Sequence, residues 1–290
     1  MSLTDDVRAT CREIAASARH VRIDLDALET LDPGAPPALD PERHYLEGSA
    51  EDVVHFMLVL DSINFGSGWF PTLRKRAGMS GYFTVAASLT DFWRSDGGWS
   101  VDELRALKAV DVAHALGQDP EHELMGLYAE ALRDLGRFLG ARRALDLVDE
   151  AAGSAERLAS VLAGDMSFYD DVGFWKRAQI VPNDLALAGV AEFADLDRLT
   201  IFADNLVPHV LRVDGVLVYE PDLAARIDAG ELLPPGDEER EIRGCAVHAC
   251  ELLSKRLGIP PRDIDNALWT RGQAPRYKEV PRHRTRTVYY

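Results

Sequence analysis

Residues 53–60 read Val-Val-His-Phe-Met-Leu-Val-Leu, eight positions with a single polar side chain among them. Ser49 and Asp52, just ahead of the run, have the spacing of a capping box and supply a helix start. A helix that is apolar nearly all round has no face to turn to water. It must be buried, which obliges the rest of the chain to cover it.

The covering elements are also helical by their spacing. Val7, Cys11, Ile14, Ala18 and Val21 lie three and four apart and predict one helix face over 7–21. Ser100 and Glu103 form a second capping signal, leading a helix with Leu104, Leu107 and Val110 that stops near Gly117. Leu124, Leu127, Tyr128, Ala131, Leu135 and Phe138 mark a further helix ending at Gly140, and Ser154 opens a short one that ends near Gly164. Pro221 suits a first turn and Gly230 a stop. From Glu238 the positions Ile242, Cys245, Ala249, Leu252 and Leu257 trace a long helix to Gly258. Strand signals are few. Residues 210–219 read either as a hairpin around Asp214-Gly215 or as a helix end, a turn and a short apolar run. The proline-rich stretch 31–37 is a loop too short and too early to link domains, and no repeat or later linker follows. The expectation is a mainly α protein with at most a few short strands, folded as a single compact helical domain over 1–290.

Charge narrows the function. With 48 acidic and 32 basic residues the formal charge is −16, which argues against a protein built mainly to grip long nucleic acid, since phosphate binding needs a broad basic face. A small anionic ligand in a local basic pocket stays open. No stretch approaches the roughly 20 apolar residues of a spanning helix, and the start of the sequence lacks a basic region followed by an apolar run. Cys11, Cys245 and Cys250 are odd in number and not at thiol–metal spacing, so reduced thiols in a cytoplasmic protein are expected. Dinucleotide, P-loop, nucleophile-elbow and zincin motifs are absent, and no histidine pairs with another His or Cys at zinc-ligand spacing. Neither a metal nor a cofactor is called for.

Four segments are less ordinary. In LDSINFGSGWFP, residues 60–71, an apolar helix runs into polar residues, aromatics and glycines. Such an end can present Asp61, Asn64, Phe65 and Trp69 to a base, the aromatics stacking and the polar groups reading its edge; it can equally be a helix cap over core aromatics. In FWKRAQIVPNDL, residues 174–185, Lys176 and Arg177 form either an anion site or a snorkelling pair. Asp204 sits inside the apolar run 199–211 and must be paired, hydrogen-bonded or functional, with Pro208 starting or interrupting a helix beside it. The segment 281–290 alternates basic and aromatic residues, and Val288-Tyr289-Tyr290 has the character of a docking end where a flexible tail is the default.

Five stretches, LDSINFGSGWFP, FWKRAQIVPNDL, LTIFADNLVPHVLRVDGVLVY, EEREIRGCAVHACELL and HRTRTVYY, occur in that order between residues 60 and 290 and resemble the queuosine salvage family. The resemblance implies a mainly α fold like that of the helical DNA glycosylases. It also implies an N-glycosidase that hydrolyses queuosine 5′-monophosphate, a small nucleotide, and releases queuine for reinsertion into tRNA. N-glycoside hydrolysis passes through an oxocarbenium-like sugar, so a carboxylate is needed to stabilise the cation or activate water. Queuine is a 7-deaza base, and leaving-group help must come from hydrogen bonds elsewhere on it. On the family motifs the catalytic carboxylates fall on Asp204, facing the anomeric carbon, and Asp184, holding the water or a sugar hydroxyl. Base recognition falls on Asp61, Asn64 and Phe65, with Trp69 as a wall. Glu239 and Glu241 are candidates for the cationic arm of queuine, and Lys176, Arg177, His209 and Arg284 for the 5′-phosphate. A non-catalytic queuine- or queuosine-binding protein, a glycosylase acting on polymeric nucleic acid, and a helical interaction scaffold are the competing readings.

Overall fold

The structure, a computed structural model, describes residues 2–290. Its described residues form α-helices, short 3-10 turns and one two-stranded sheet, the mainly α architecture expected. The chain divides into two compact units, each assembled from separated stretches. One takes the chain up to Pro37, Val172–Lys176 and Asp197–Thr287; the other takes Ala38–Asp171, Arg177–Leu196 and Val288–Tyr290. No helix among the described residues is long and apolar enough to cross a membrane.

The second of these units is organised round the apolar run. The helix Ala50–Ser62 starts at Ser49, whose hydroxyl accepts from Asp52 N at 3.3 Å while Asp52 Oδ2 accepts from Ser49 N at 2.9 Å. Every residue from Val53 to Ser62 except His55 is buried. The helices Gly81–Asp96, Glu123–Leu139 and Ala144–Glu150 pack against it. Glu51 adds a second link, because its carboxylate accepts from Ala144 N and Leu145 N at 2.8 and 2.9 Å, the positive end of the Ala144–Glu150 helix.

One helix expected here is two. The chain runs as Val101–Ala106, breaks at Leu107 and Lys108 in extended conformation, and resumes as Ala109–Leu116. The break turns Leu107 into the core and leaves Val110 at 54% exposure, where a continuous helix would place both on one face. Arg133 donates to Leu107 O at 2.7 Å and Asp111 accepts from Lys108 N at 2.8 Å, so backbone groups released by the break find partners.

In the other unit, Leu3–Ser17 lies along Asp237–Leu257. The contact is close enough that a Cβ on Gly244 would stand 2.6 Å from Ile14 Cγ2. The first helix ends at Ser17 rather than continuing to Val21. Glu241 Oε2 accepts from Arg19 N, His20 N and Val21 N at 3.0, 2.6 and 3.2 Å and bends the chain out of the helix. Val21–Ile23 then forms β1, paired antiparallel with β2, Leu217–Tyr219, in the register Val21↔Tyr219 and Ile23↔Leu217. Residues 210–219 are therefore the helix end Leu206–Val213, a turn with Gly215 at φ +82°, and a strand whose partner is far away in sequence; the hairpin reading does not hold. Val7, Cys11, Val207, Val210, Ile242 and Val247 meet in one apolar core. Burial pushes the Cys11 and Cys245 thiols up to about 12, which leaves them protonated and unreactive.

His283 is buried in the same unit, and burial, reinforced by His209 and by the guanidinium groups of Arg243, Arg282 and Arg212, pushes its pKa down to about 3. The unfolded chain takes up this proton near pH 6.5 and the folded one only near 3, so stability is lost as pH falls between those values, at up to about 1.4 kcal/mol per pH unit. Urea midpoints measured from pH 7 to pH 4 should show this slope, and His283→Gln should flatten it.

Candidate functional site

The segment after the apolar helix is fixed by its backbone. Asp61 and Ser62 close the helix fully buried, and Ile63 caps it. Gly66 has φ +112°, and a Cβ there would come within 2.8 Å of Leu124, so the turn needs glycine. Tyr128 donates its hydroxyl to Phe65 O at 2.7 Å and sets its ring edge-on to Phe65, centroids 5.0 Å apart. Gly66 N donates to Tyr290 O at 3.0 Å, which brings the docking end expected from its aromatic character onto the turn. Trp69 donates its indole N–H to Glu123 Oε2 at 2.7 Å.

Arg177 ties the same segment to two others. It is 1% exposed and donates to Ser62 O at 2.6 Å, to Val288 O at 2.7 Å and to Phe168 O. Its guanidinium lies 4.8 Å from the ring centroids of both Phe65 and Tyr169. Burial lowers its pKa, while Tyr169, Asp171 and Asp61 oppose that shift. Its two terminal nitrogens are thus engaged by backbone carbonyls, a use the Lys-Arg pattern did not announce. Lys176 is also buried but belongs to the other unit, behind Trp175, which holds the strained φ of +45°.

Asp184 lies on the helix Lys176–Leu187, which carries Pro182 inside it. Asn183 donates to Asp184 Oδ1 at 2.9 Å within a buried setting. Tyr82 stands near this group without having drawn notice in the sequence. Its phenol pKa is raised well above the ordinary value, first by burial and then by the charges of Asp184 and Asp61. One neutral hydroxyl therefore shares its surroundings with two carboxylates of the same unit.

Asp204 belongs to the other unit. Its Oδ1 accepts from Leu206 N at 2.7 Å and Val207 N at 3.0 Å, so it caps the helix Leu206–Val213 and sits at the positive end of that helix. Pro208 lies in the first turn, where its missing N–H costs nothing. Asp204 Oδ2 carries no hydrogen bond among the described residues, and the side chain is half-buried. The run that presents it is pinned on three sides. Phe202 N donates to Asp265 Oδ1 at 2.9 Å, Arg243 Nε donates to Ala203 O at 2.8 Å, and Asn205 Nδ2 donates to His283 O at 3.0 Å. Arg243 is itself held by Glu239 at 3.4 Å and stacks 3.9 Å from the Phe174 ring centroid.

The residues expected from sequence accordingly fall into two groups. Asp61, Asn64, Phe65, Trp69, Arg177 and Asp184 lie in one unit; Lys176, Asp204, His209, Glu239, Glu241 and Arg284 lie in the other. Within the latter, His209 Nε2 donates to Tyr277 O at 2.7 Å, Arg284 donates to Gly230 O at 2.7 Å, and Glu241 holds the three N–H groups before β1.

Comparison with known proteins places these residues in a common frame. The sequence pattern described as queuosine salvage protein matches residues 43–290. The chain belongs to the queuosine salvage family. A protein of Sphaerobacter thermophilus named queuosine 5′-phosphate N-glycosylase/hydrolase is 32% identical, the match covering 98% of this chain and 97% of that one. A Mus musculus protein of the same name is 28% identical over 98% of each chain. One from Dictyostelium discoideum is 39% identical, but over 41% of this chain and 40% of its own length. The queuosine salvage match takes in every residue named in the two groups above, from Asp61 to Arg284.

Removing Arg177 would leave Ser62, Phe168 and Val288 carbonyls without their donor inside the protein. Arg177→Met should lower stability by about 3–5 kcal/mol, read as a reduced urea midpoint. An unchanged midpoint would show that the carbonyls find other partners.

Proposed function

We propose that this chain hydrolyses the N-glycosidic bond of queuosine 5′-phosphate to give free queuine and ribose 5-phosphate, and that Asp204 is the catalytic carboxylate. The observation that carries this reading is the divided use of Asp204: two backbone N–H groups hold Oδ1 while Oδ2 is left unbonded among the described residues. A carboxylate fixed through one oxygen cannot swing away, and the other oxygen is available to a developing cation or to a water. Those are the two jobs that an oxocarbenium-like transition state requires. The names of the relatives support the substrate, and matches over 98% of the chain support assigning the activity to the whole of it.

The second acidic role, holding the water or a sugar hydroxyl, is proposed for Asp184. Base recognition is proposed for Asp61, Asn64 and Phe65, with Trp69 held as a wall by its bond to Glu123. Tyr82, kept as a neutral phenol near both carboxylates, joins this group as a hydrogen-bond donor. The formal charge of −16 favours a free nucleotide over polymeric nucleic acid.

Incubation with queuosine 5′-phosphate followed by mass detection of queuine tests the activity. Asp204→Asn keeps the size of the side chain and removes its charge. It should lower kcat by about 10²–10⁴-fold while substrate affinity changes little, and undiminished turnover would remove Asp204 from the mechanism.

A further inference from the structure

We propose that Arg282 is the residue that grips the 5′-phosphate of the substrate, an inference that rests on the nucleotide reading above. Its backbone is fastened on both sides. Arg212 Nη1 donates to Pro281 O at 3.3 Å, and Asn205 Nδ2 donates to His283 O at 3.0 Å. Leu233 N then donates to Arg284 O at 2.9 Å. The stretch 281–284 is therefore not a loose tail, and Arg282 springs from a fixed point. The bond from Asn205 fastens it to the turn that presents Asp204.

The guanidinium of Arg282, by contrast, takes part in no hydrogen bond and no ion pair among the described residues. Its charged neighbours are Asp204, which favours its positive form, and Arg284, which opposes it; burial acts first and lowers its pKa. An arginine carries five N–H donors, and those of half-buried Arg282 are bonded to no protein group among the described residues. In a protein with an excess of 16 acids, carboxylates to satisfy them are abundant. Asp204 is the near one, and its bonded oxygen is already taken by Leu206 N and Val207 N. A fixed guanidinium with open donors suits a phosphate, whose oxygens accept two parallel N–H bonds from the fork.

The other basic groups considered for this role, Lys176 among them, each have partners inside the protein. Arg177 donates to three backbone carbonyls, His209 to Tyr277 O, and Arg284 to Gly230 O. Arg282 shares a compact unit with Asp204, so one unit carries both the charge that meets the sugar cation and the charge that meets its phosphate.

The test compares wild type with Arg282→Gln and Arg282→Lys in two measurements. In the first, kcat/KM is determined for queuosine 5′-phosphate and for queuosine without phosphate. Arg282→Gln should lower the nucleotide value about 10- to 100-fold and leave the nucleoside value within about threefold, with partial recovery in Arg282→Lys. Equal loss on both substrates would overturn the proposal and make Arg282 a residue acting on Asp204. In the second, the rise in thermal midpoint on adding ribose 5-phosphate is read with no catalysis involved. A rise in wild type that is lost in Arg282→Gln supports the phosphate grip; an equal rise in both, or none in wild type, overturns it. If wild type releases no queuine, the activity reading fails by itself, and the second measurement still decides the role of Arg282.

Discussion

Two buried arginines set the geometry on which everything else depends. Arg177 and Arg243, 1% and 2% exposed, each donate to a backbone carbonyl beside a candidate site carboxylate and each lie over an aromatic ring. Arg177 fixes Ser62, beside Asp61; Arg243 fixes Ala203, beside Asp204. A charged group inside a protein is tolerated only with its hydrogen bonds made, so each arginine dictates where the nearby backbone must lie. The neighbouring carboxylate inherits that position. The same logic runs in the other direction through Glu51, Glu241, Asp204 and Asp265, whose oxygens collect backbone N–H groups. These four carboxylates are thus engaged in holding chain.

The sequence was most legible where a local rule was sufficient. The capping boxes at Ser49 and Ser100 formed as read, and the helices ending at Leu139 and Leu257 stop where glycine follows. It was least legible where a distant group intervened. No glycine or proline marks the break at Leu107, whose freed carbonyl accepts from the distant Arg133. Val21 belongs to the helical spacing of the first segment, yet Glu241, 220 residues further on, draws it into a strand. The Lys176-Arg177 pair was open between an anion site and a surface pair; burial by Phe65, Tyr169 and three carbonyls gave Arg177 a third use that no spacing encodes.

The site was legible in a similarly divided way. Asp204 was conspicuous as a carboxylate in an apolar run; it caps a helix through one oxygen, which leaves the other for the role proposed for it. Tyr82 left no signal, since its significance comes from carboxylates far away in sequence. Arg282 was masked by its company, one of several basic residues in a segment that reads as a tail. Its distinction lies in what it does not bond to, which composition cannot express.

The interleaving of the two units has a consequence for synthesis. The chain passes between them after Pro37, Asp171, Lys176, Leu196 and Thr287, so no contiguous stretch of sequence encodes either one. The unit begun at Ala38 takes in Val288–Tyr290, and the carbonyls of Val288 and Tyr290 bond Arg177 and Gly66. On the ribosome, a chain made from its N-terminus normally completes one domain before the next appears. Here neither unit has all its parts until residue 287 has been added, and one lacks a piece until residue 290. Long helices can form early, but neither unit can close before residue 287 has been made.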